Sequence, residues 1–264
     1  MSASTCFLNR AARESSGHAG RYDKRARCVT PPPFAMPVMS ETHRKLVARI
    51  SGQYPRHYLR GYARGKLRTD PVYGAVQAAL AERDMPVLDI GCGIGLCALF
   101  LREHGFTAPI VGVDPDAKKI EVAQRAAAPY DRLTFHARDG AEPMPIEGHV
   151  LMLDVLHYFA PSARHELFQR IIAAMPPGGR FILRSAVADG SWRFRCAQLE
   201  EWFVHAIRWM RRPAHDFPTI ASILTPFQDA GFEAQAQPLW GRTPFNCHLF
   251  ILHRPEHPDA SRSR

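Results

Sequence analysis

A short apolar run followed by three alternating glycines constrains the fold more than any other stretch of the chain. Residues 87–90 read VLDI, which is typical of a short buried strand, and residues 91–95 read GCGIG. Glycine at every second position allows positive φ angles and lets a ligand approach the backbone closely. A helix that begins at about Leu96 would present N–H groups to an anionic or electron-rich ligand. The segment therefore predicts a strand, a tight turn and a helix around a small-molecule cofactor.

Downstream of this turn, short apolar segments alternate with amphipathic segments. The predicted strands cover residues 86–90, 109–114, 132–136, 149–154 and 180–185, and the predicted helices cover residues 95–104, 116–127 and 161–174. This alternation is typical of βαβ units and a parallel sheet. A helix at about 218–230 then precedes two strands, at 232–238 and 246–253, that only a short turn separates. Such neighbouring strands must be antiparallel.

The composition indicates one globular domain with extensions. The chain has 264 residues, is 46% hydrophobic and carries a net charge of +9. No apolar run reaches the roughly 18 residues of a membrane span, and the N-terminus lacks the apolar stretch of a secretion signal. The six cysteines form no CxxC pair, which indicates reduced thiols in a cytoplasmic protein. We predict no metal site.

Residues 1–40 form a basic segment without helical or strand periodicity. Its first 30 residues contain six Lys or Arg and two acidic residues, and three prolines follow at positions 31–33. This composition predicts a disordered tail. The tail could bind nucleic acid, but a dispensable extension is the favoured interpretation. We place the domain at residues 41–255 and a C-terminal tail at residues 256–264.

Two segments flank the predicted sheet core. Residues 41–84 are interpreted as an N-terminal cap, in which Ser40 could cap a first helix and Asp70-Pro71 opens another. Between these helices, residues 54–73 are basic and aromatic, and no secondary structure is assigned to their first part. Residues 188–216 are interpreted as an insertion that acts as a lid. Its apolar residues recur at helical spacing, which fits a cover over an apolar or aromatic substrate or ordinary packing against the domain: Leu199, Trp202, Phe203, Ala206, Ile207 and Met210.

Two acidic residues extend the glycine pattern. Asp89 precedes the first glycine by two positions, and the third glycine comes one residue earlier than in the dinucleotide fingerprint G-x-G-x-x-G. Asp114 ends the second predicted strand, 19 residues after Gly95. A carboxylate there can accept hydrogen bonds from both hydroxyls of a ribose. Alternatively, Asp114 caps the helix that follows it.

The pattern D-x-G-x-G-x-G and the order of the elements resemble the class I S-adenosylmethionine-dependent methyltransferases, over about residues 70–254. The resemblance implies a Rossmann-like α/β fold with helices on both faces of the sheet. That sheet would have seven strands, mostly parallel, with one antiparallel strand near the C-terminus. The resemblance also implies S-adenosyl-L-methionine as the cofactor.

The same resemblance assigns cofactor contacts to particular residues. The three glycines of the turn, Gly91, Gly93 and Gly95, would hold the cofactor together with the two acids named above. Asp139, after the third strand, would accept a hydrogen bond from the adenine amino group, although Asp139-Gly140 is also a plain turn signal. Asp89 would orient the loop or approach the cofactor's amino group.

The end of the fourth predicted strand supplies two further candidates, Asp154 and His157. The carboxyl ends of strands line the crevice of open α/β sheets, so both side chains are expected to face the cofactor's methionine end or the acceptor. His157 is the candidate general base because an imidazole titrates near working pH. A structural histidine packed beside Tyr158 is an equal alternative. Arg64, Lys66 and Tyr58 are candidate donors to the cofactor's carboxylate.

Residues 154–157 also bear on the acceptor. They read DVLH, whereas enzymes that methylate nucleic-acid amino groups carry an Asn/Asp-Pro-Pro-aromatic motif there, and cytosine C5 enzymes carry a cysteine after proline. A small-molecule acceptor, free or carrier-bound, is therefore expected, and nucleic acid is not. The alternatives are an RNA- or protein-directed methyltransferase and a regulatory module that only binds the cofactor.

Three segments are more particular: residues 62–71, 154–158 and 241–246. Together they resemble methyltransferases of aryl-polyene and xanthomonadin-type pigment pathways. That resemblance implies methylation of an aromatic, phenolic group in pigment biosynthesis, on an acyl carrier protein or free. Because such a carrier is acidic, basic residues on the surface would form its docking site.

Overall fold

The computed structural model describes residues 40–206, 216–241 and 243–256, and for residues 200–206 it describes the backbone alone. The helices of this part are α1 Glu41–Gly52, α2 His57–Thr69, α3 Val72–Leu80, α4 Leu96–Glu103, α5 Ala117–Ala127, α6 Pro161–Ala174, α7 Trp192–Ala206 and α8 Ile220–Asp229. The strands are β1 Val87–Ile90, β2 Ile110–Asp114, β3 Leu133–Ala137, β4 His149–Leu153, β5 Arg180–Ala186, β6 Glu233–Pro238 and β7 Cys247–His253. Apart from Ser40 and Glu256, the two predicted tails lie outside the described residues.

The seven strands form one sheet in the order β3-β2-β1-β4-β5-β7-β6. Strands β1 to β5 are mutually parallel, and β7 is antiparallel to both β5 and β6. This confirms the predicted sheet, including its single reversed strand. The observed strand boundaries agree with the predicted ones to within one residue, because buried runs and the turn residues between them mark both ends of each strand.

Helices cover both faces of the sheet, as predicted. Side chains alternate between the faces along β1, so Val87 enters one hydrophobic cluster while Leu88 and Ile90 enter another. Helices α1 to α5 contribute to the first cluster, and α6 and α8 contribute to the second. Each cluster removes a row of apolar side chains from water, and this burial is the main stabilising contribution to such a fold.

Helices α1 to α3, hereafter the cap, precede the sheet. Ser40 begins α1 as its N-cap by accepting a hydrogen bond from the His43 N–H at 3.1 Å, as predicted. The cap is attached to the glycine turn by Tyr54, whose buried hydroxyl donates to the Ile94 carbonyl at 3.2 Å. Sequence analysis assigned no helix to the residues of α2. The buried face of α2 consists of one residue every fourth position, namely Leu59, Ala63 and Leu67. The intervening positions are mostly charged or aromatic, so the apolar periodicity is weak.

The predicted insertion contains α7. Ala197 of this helix is buried, but Leu199 is 65% exposed, so Leu199 does not fit the alternative in which the apolar stripe packs against the domain. The other five side chains of that stripe lie outside the described residues. No helix in the described part of the chain has the length and apolarity required to span a bilayer.

Candidate functional site

Two adjoining cavities lie at the carboxyl ends of β1, β2 and β4. One, the β3-side cavity, has a volume of about 380 Å³ and is lined by Asp139, Gly140 and Phe159, among others. The other, the cap-side cavity, has a volume of about 340 Å³ and reaches Lys66 of the cap. Five residues line both cavities, so the two are parts of one crevice: Gly91, Asp114, Lys119, Val155 and Tyr158. The crevice is at the edge of the sheet where open α/β folds bind ligands.

The three glycines of the turn all have positive φ, but for different reasons of space. A Cβ atom on Gly91 would lie 2.5 Å from Val155 Cγ1, and one on Gly95 would lie 2.8 Å from Phe135 Cζ. A Cβ atom on Gly93 would meet nothing within 4 Å, and Gly93 lines the cap-side cavity. Gly93 therefore keeps ligand space free. Gly95 is the N-cap of α4 and lines neither cavity, and its lack of a side chain allows α4 to pack against Phe135.

Asp114 fixes the turn from the neighbouring strand. Its carboxylate accepts hydrogen bonds from the Gly93 N–H at 3.1 Å and from the Asp116 N–H at 2.9 Å. The N-cap of α5 is Asp116, whose side chain accepts from the Lys118 N–H at 3.0 Å. The alternative in which Asp114 caps that helix is therefore wrong. A carboxylate has about four acceptor positions, so Asp114 retains capacity for a ligand's hydroxyl groups.

Asp89 brings a second carboxylate to the cap-side cavity. Its side chain is buried in β1, and burial together with the negative charge of Asp114 raises its pKa to about 7. The cavity wall at this point therefore binds a proton more tightly than an ordinary aspartate does. A cationic group of a ligand would relieve the repulsion between the two carboxylates.

Asp139 fits both interpretations of its sequence. Its carboxylate accepts a hydrogen bond from the Ala141 N–H at 3.0 Å, which makes the turn after β3. The same residue lines the β3-side cavity, together with Gly140 and Ala141. The turn thus presents a carboxylate to the cavity that is predicted to receive an adenine ring.

Asp154, which is itself 37% exposed, belongs to a network of charges around the buried Arg184 side chain that no sequence pattern revealed. Its φ is 59°, and its carboxylate accepts from Arg184 Nε at 2.8 Å. Arg184, on β5, also donates from Nη2 to Asp70 Oδ2 at 2.9 Å, and closer contacts join its two terminal nitrogens to both carboxylates. Lys66 Nζ lies 3.2 Å from Asp70. We name these four residues, Lys66, Asp70, Asp154 and Arg184, the charge network.

The charge network is dominated by its buried cation. Burial opposes the ionisation of Asp70, but Arg184 and Lys66 outweigh this effect and lower the Asp70 pKa to about 2. Both carboxylates also raise the pKa of Arg184, although its burial acts in the opposite direction. The signal in the sequence was an arginine inside the apolar strand FILRSA. Its partner Asp70 is 114 residues away along the chain, which no local pattern reveals.

His157 is buried and lines the cap-side cavity. Its ring centroid lies 4.1 Å from that of Tyr158 and 5.3 Å from that of Phe217, with which it is stacked. The histidine is therefore packed among aromatic rings and also belongs to the cavity wall. Of the three proposed donors to a cofactor carboxylate, Lys66 lines this cavity, whereas Arg64 and Tyr58 are exposed and do not.

The far end of the cap-side cavity is built by segments that are distant in sequence. Tyr62, Phe217, Trp240 and Phe245 supply aromatic walls. The Arg193 guanidinium of α7 lies 4.4 Å from the centroid of the Trp240 ring and donates to the Thr243 carbonyl at 2.8 Å. These contacts hold α7 against the turn between β6 and β7. Within the described residues, no group of three or more His, Cys, Asp or Glu side chains could hold a metal ion.

The fold and the site together define an α/β protein with a cofactor crevice of the methyltransferase kind. Residues 57–237, more than half of the chain, match a family described as a methyltransferase domain. The chain belongs to this family.

Two curated relatives show how broad the family resemblance is. The carboxy-S-adenosyl-L-methionine synthase of Trichlorobacter lovleyi is 31% identical over 123 residues, which are 44% of this chain and 50% of that protein. The tRNA (guanine-N(7)-)-methyltransferase of Rubrobacter xylanophilus is 29% identical over 181 residues, which are 64% of this chain and 76% of that protein. The chain spans about half the length of the carboxy-S-adenosyl-L-methionine synthases that it matches.

Solved structures share the fold. Magnesium protoporphyrin IX methyltransferase from Synechocystis, solved with bound S-adenosylhomocysteine, superposes with a TM-score of 0.54 at 20% identity. The match covers 81% of this chain and 94% of that chain. At this level of identity the likeness supports the Rossmann-like architecture alone.

Proposed function

We propose that the chain is an S-adenosylmethionine-dependent methyltransferase that acts on a small aromatic acceptor. The observation that carries the proposal is the single crevice in which two cavities meet at Asp114. The β3-side cavity is lined by Asp139, and the cap-side cavity is lined by the glycine turn and by aromatic rings. A binding site for an adenosyl group next to a site for a planar acceptor is what methyl transfer requires.

The residues present fit the cofactor. Gly93 leaves open space in the cavity wall, and Asp114 would accept hydrogen bonds from the ribose hydroxyls. Asp139 would accept one from the adenine amino group in the β3-side cavity. Asp89, with its raised pKa, would be paired by the amino group of the methionine part, and Lys66 would donate to its carboxylate. Asp154 and Gly91 also line the cap-side cavity and would contact the cofactor there. Gly95 would stabilise the glycine turn by allowing α4 to pack closely.

The cofactor supplies a methyl group that a positive sulfonium sulfur already activates. The protein's residues therefore have to hold the acceptor in line, exclude water and remove a proton where the nucleophile carries one. His157 is the residue proposed for the last task, and its burial in the cavity wall among aromatic rings supports this role. Its imidazole would take the proton of an acceptor hydroxyl or amine as the new bond to carbon forms.

The aromatic walls favour a planar acceptor. Rings pack well against Tyr62, Phe217, Trp240 and Phe245, and a phenolic group has a proton for His157 to remove. The resemblance to pigment-pathway methyltransferases supports a phenolic acceptor, free or on an acyl carrier protein. Arg56, Arg60, Arg64 and Arg68 are exposed along α2 and would face an acidic carrier. Cys92, Cys97 and Cys196 are reduced thiols, which supports a reducing, cytoplasmic location.

Calorimetry with S-adenosylhomocysteine and with NAD tests the cofactor assignment. We expect S-adenosylhomocysteine to bind and NAD not to bind; binding of NAD alone would overturn the proposal. Mass spectrometry then tests the acceptor, with phenolic acids offered free and as thioesters on a carrier protein. We expect at least one phenol to be methylated. Methylation of non-aromatic compounds alone would refute the proposal of an aromatic acceptor.

An RNA acceptor is the second candidate. The similarity to a tRNA methyltransferase and the exposed arginines of α2 favour it. Phosphate contacts would make RNA binding weaken steeply as salt rises. Methylation of bulk tRNA in the same mass-spectrometric assay, with no uptake by phenols, would establish this candidate in place of the first.

A further inference from the structure

Two arginines of β5 connect the sheet to the cap, at opposite ends of the strand. Arg180, at the start of β5, donates to the Ala79 carbonyl and lies 2.8 Å from Glu82. Arg184, four residues later, reaches Asp70 of the cap and Asp154 after β4. Arg184 lines the cap-side cavity, whereas Arg180 lines neither cavity. Both residues are arginines on the same strand. A comparison of variants at the two positions therefore separates the effect of lining the cavity from the effect of joining the sheet to the cap.

Stability alone is a weak reason for the charge network. Taking a guanidinium and its carboxylates out of water is costly, and apolar replacements of buried ion pairs are often as stable. The Arg184 side chain is only 7% exposed, and Asp70 is only 10% exposed. Moreover, Asp154 holds a positive φ that a residue with a Cβ atom rarely adopts. Backbone strain of this kind persists where the surrounding structure enforces it, and it concentrates at functional sites.

Arg184 fixes two parts of the cavity wall at once. Its fork of N–H donors matches a carboxylate on each side, so Asp154 and the Asp70 turn are held at one distance from each other. That turn is also enclosed from the other side, because a Cβ atom on Gly241 would lie 2.8 Å from Pro71 Cδ. Residues from all three segments singled out in the sequence, 62–71, 154–158 and 241–246, therefore line the same cavity as Arg184.

We propose that Arg184 is a positioning residue for methyl transfer: it holds Asp154 and the cap turn in the cavity wall and neutralises their charge beside the cofactor. The inference rests on the proposed function. Without Arg184, two carboxylates would face each other with Lys66 as the sole cation of the charge network. Their repulsion would loosen the cap, and the wall would become more negative. A negative wall favours a positively charged sulfonium over a neutral sulfur.

Paired binding measurements test this inference without an acceptor. Calorimetry is carried out on the full chain with S-adenosylmethionine, which is positive at sulfur, and with S-adenosylhomocysteine, which is neutral there. For Arg184→Met we expect S-adenosylhomocysteine affinity to fall about tenfold, and the preference for S-adenosylmethionine to rise by at least about threefold. Arg184→Lys keeps the charge but not the fork, so it should retain the wild-type preference while binding both ligands more weakly. Arg180→Met should change neither affinity.

The outcomes separate positioning from a structural role. Urea unfolding of all three variants shows how much stability each has lost. If Arg184→Met binds both ligands as the wild type does, or loses affinity for both equally, the inference is wrong. If Arg184→Met does not fold, Asp154→Asn removes one negative charge, and it should shift the preference toward S-adenosylhomocysteine; an unchanged preference would overturn the inference. Wild-type protein that binds neither ligand would instead refute the proposed function.

Discussion

The two ends of the crevice are built in different ways. The β3-side end is lined by residues between positions 90 and 163 that lie around the ends of β1 to β4, and the glycine turn falls within the same stretch of chain. The cap-side end is assembled from α2, the end of β4, β5, α7 and the turn between β6 and β7. A site made by regular elements leaves a pattern in the sequence, and a site made by side chains from distant segments does not. If the proposed function is right, this division also separates cofactor binding from chemistry.

His157→Gln should have the largest effect, and it should be confined to the cap-side end. Glutamine keeps a polar side chain of similar reach but cannot take a proton. Turnover should fall by about a hundredfold or more, the usual scale of a general base, while S-adenosylhomocysteine affinity stays near that of the wild type. The measurement is single-turnover methyl transfer by both proteins at the same saturating cofactor concentration. Full turnover in His157→Gln would assign the residue to packing alone.

Asp89→Asn should change the stability of the protein in a way that depends on pH. In the folded chain the pKa of Asp89 is about 7, against an ordinary 3.8. Ionisation therefore costs the folded state progressively more stability as pH rises from about 4 to 7, and the cost is complete above that range. Removing the charge should stabilise the unliganded protein by up to about 4 kcal/mol at pH 8 and by nothing below pH 4. Urea unfolding at both pH values measures this, and equal stability at pH 8 would contradict the raised pKa.

Asp114→Ala tests the motif-built end directly. The change removes the acceptor that would bind two ribose hydroxyls, so S-adenosylhomocysteine affinity should fall by about a hundredfold. Asp84→Ala is the matched control, since Asp84 also fixes a loop by accepting from two backbone N–H groups, at 3.2 and 2.7 Å, but lines neither cavity. Affinity is measured by calorimetry. If S-adenosylhomocysteine affinity falls equally in both variants, the loss in Asp114→Ala results from a disordered loop and not from a lost ligand contact.

Gly93→Ala should have the smallest effect on folding and a specific effect on binding. Gly105 is the control, because it also has positive φ and open space around a would-be Cβ atom, but it lies away from the crevice. Both substitutions should cost about 1 to 2 kcal/mol of stability from left-handed backbone strain. Only Gly93→Ala should also weaken S-adenosylhomocysteine, by about tenfold, because its methyl group enters the cavity. If both variants bind S-adenosylhomocysteine with the same affinity, Gly93 does not line the ligand's binding site.

The sheet was predictable because its signals are local. Buried strands, their turn residues and the glycine run each occupy a few consecutive positions, and the order of those elements fixed the reversed β7. Two acids after strands, Asp114 and Asp139, lie in the crevice for the same reason.

Other features depended on contacts that have no local signature. Gly95 has the same spacing as Gly93, yet the bulk of Phe135, 40 residues later, decides that it packs inward. In the sequence alone, Arg184 is a single charged residue within an apolar strand. Asp70 is the residue at which a helix is predicted to begin. Their pairing exists only because β5 and the cap meet in space. The helix α2 was missed because its buried face is narrow and its charged faces are broad.

The reversal of β7 has a consequence for how acceptor preference can change. Ala186 at the end of β5 pairs with Cys247 at the start of β7, so the turn that precedes β7 lies at the mouth of the crevice. In a sheet whose last strand ran parallel, that turn would lie at the opposite edge. Lengthening or reshaping residues 239–246 would thus remodel the acceptor's surroundings while the adenosyl pocket stays intact. The topology thus separates the turn before β7 from the glycine turn, so that one can be altered without altering the other.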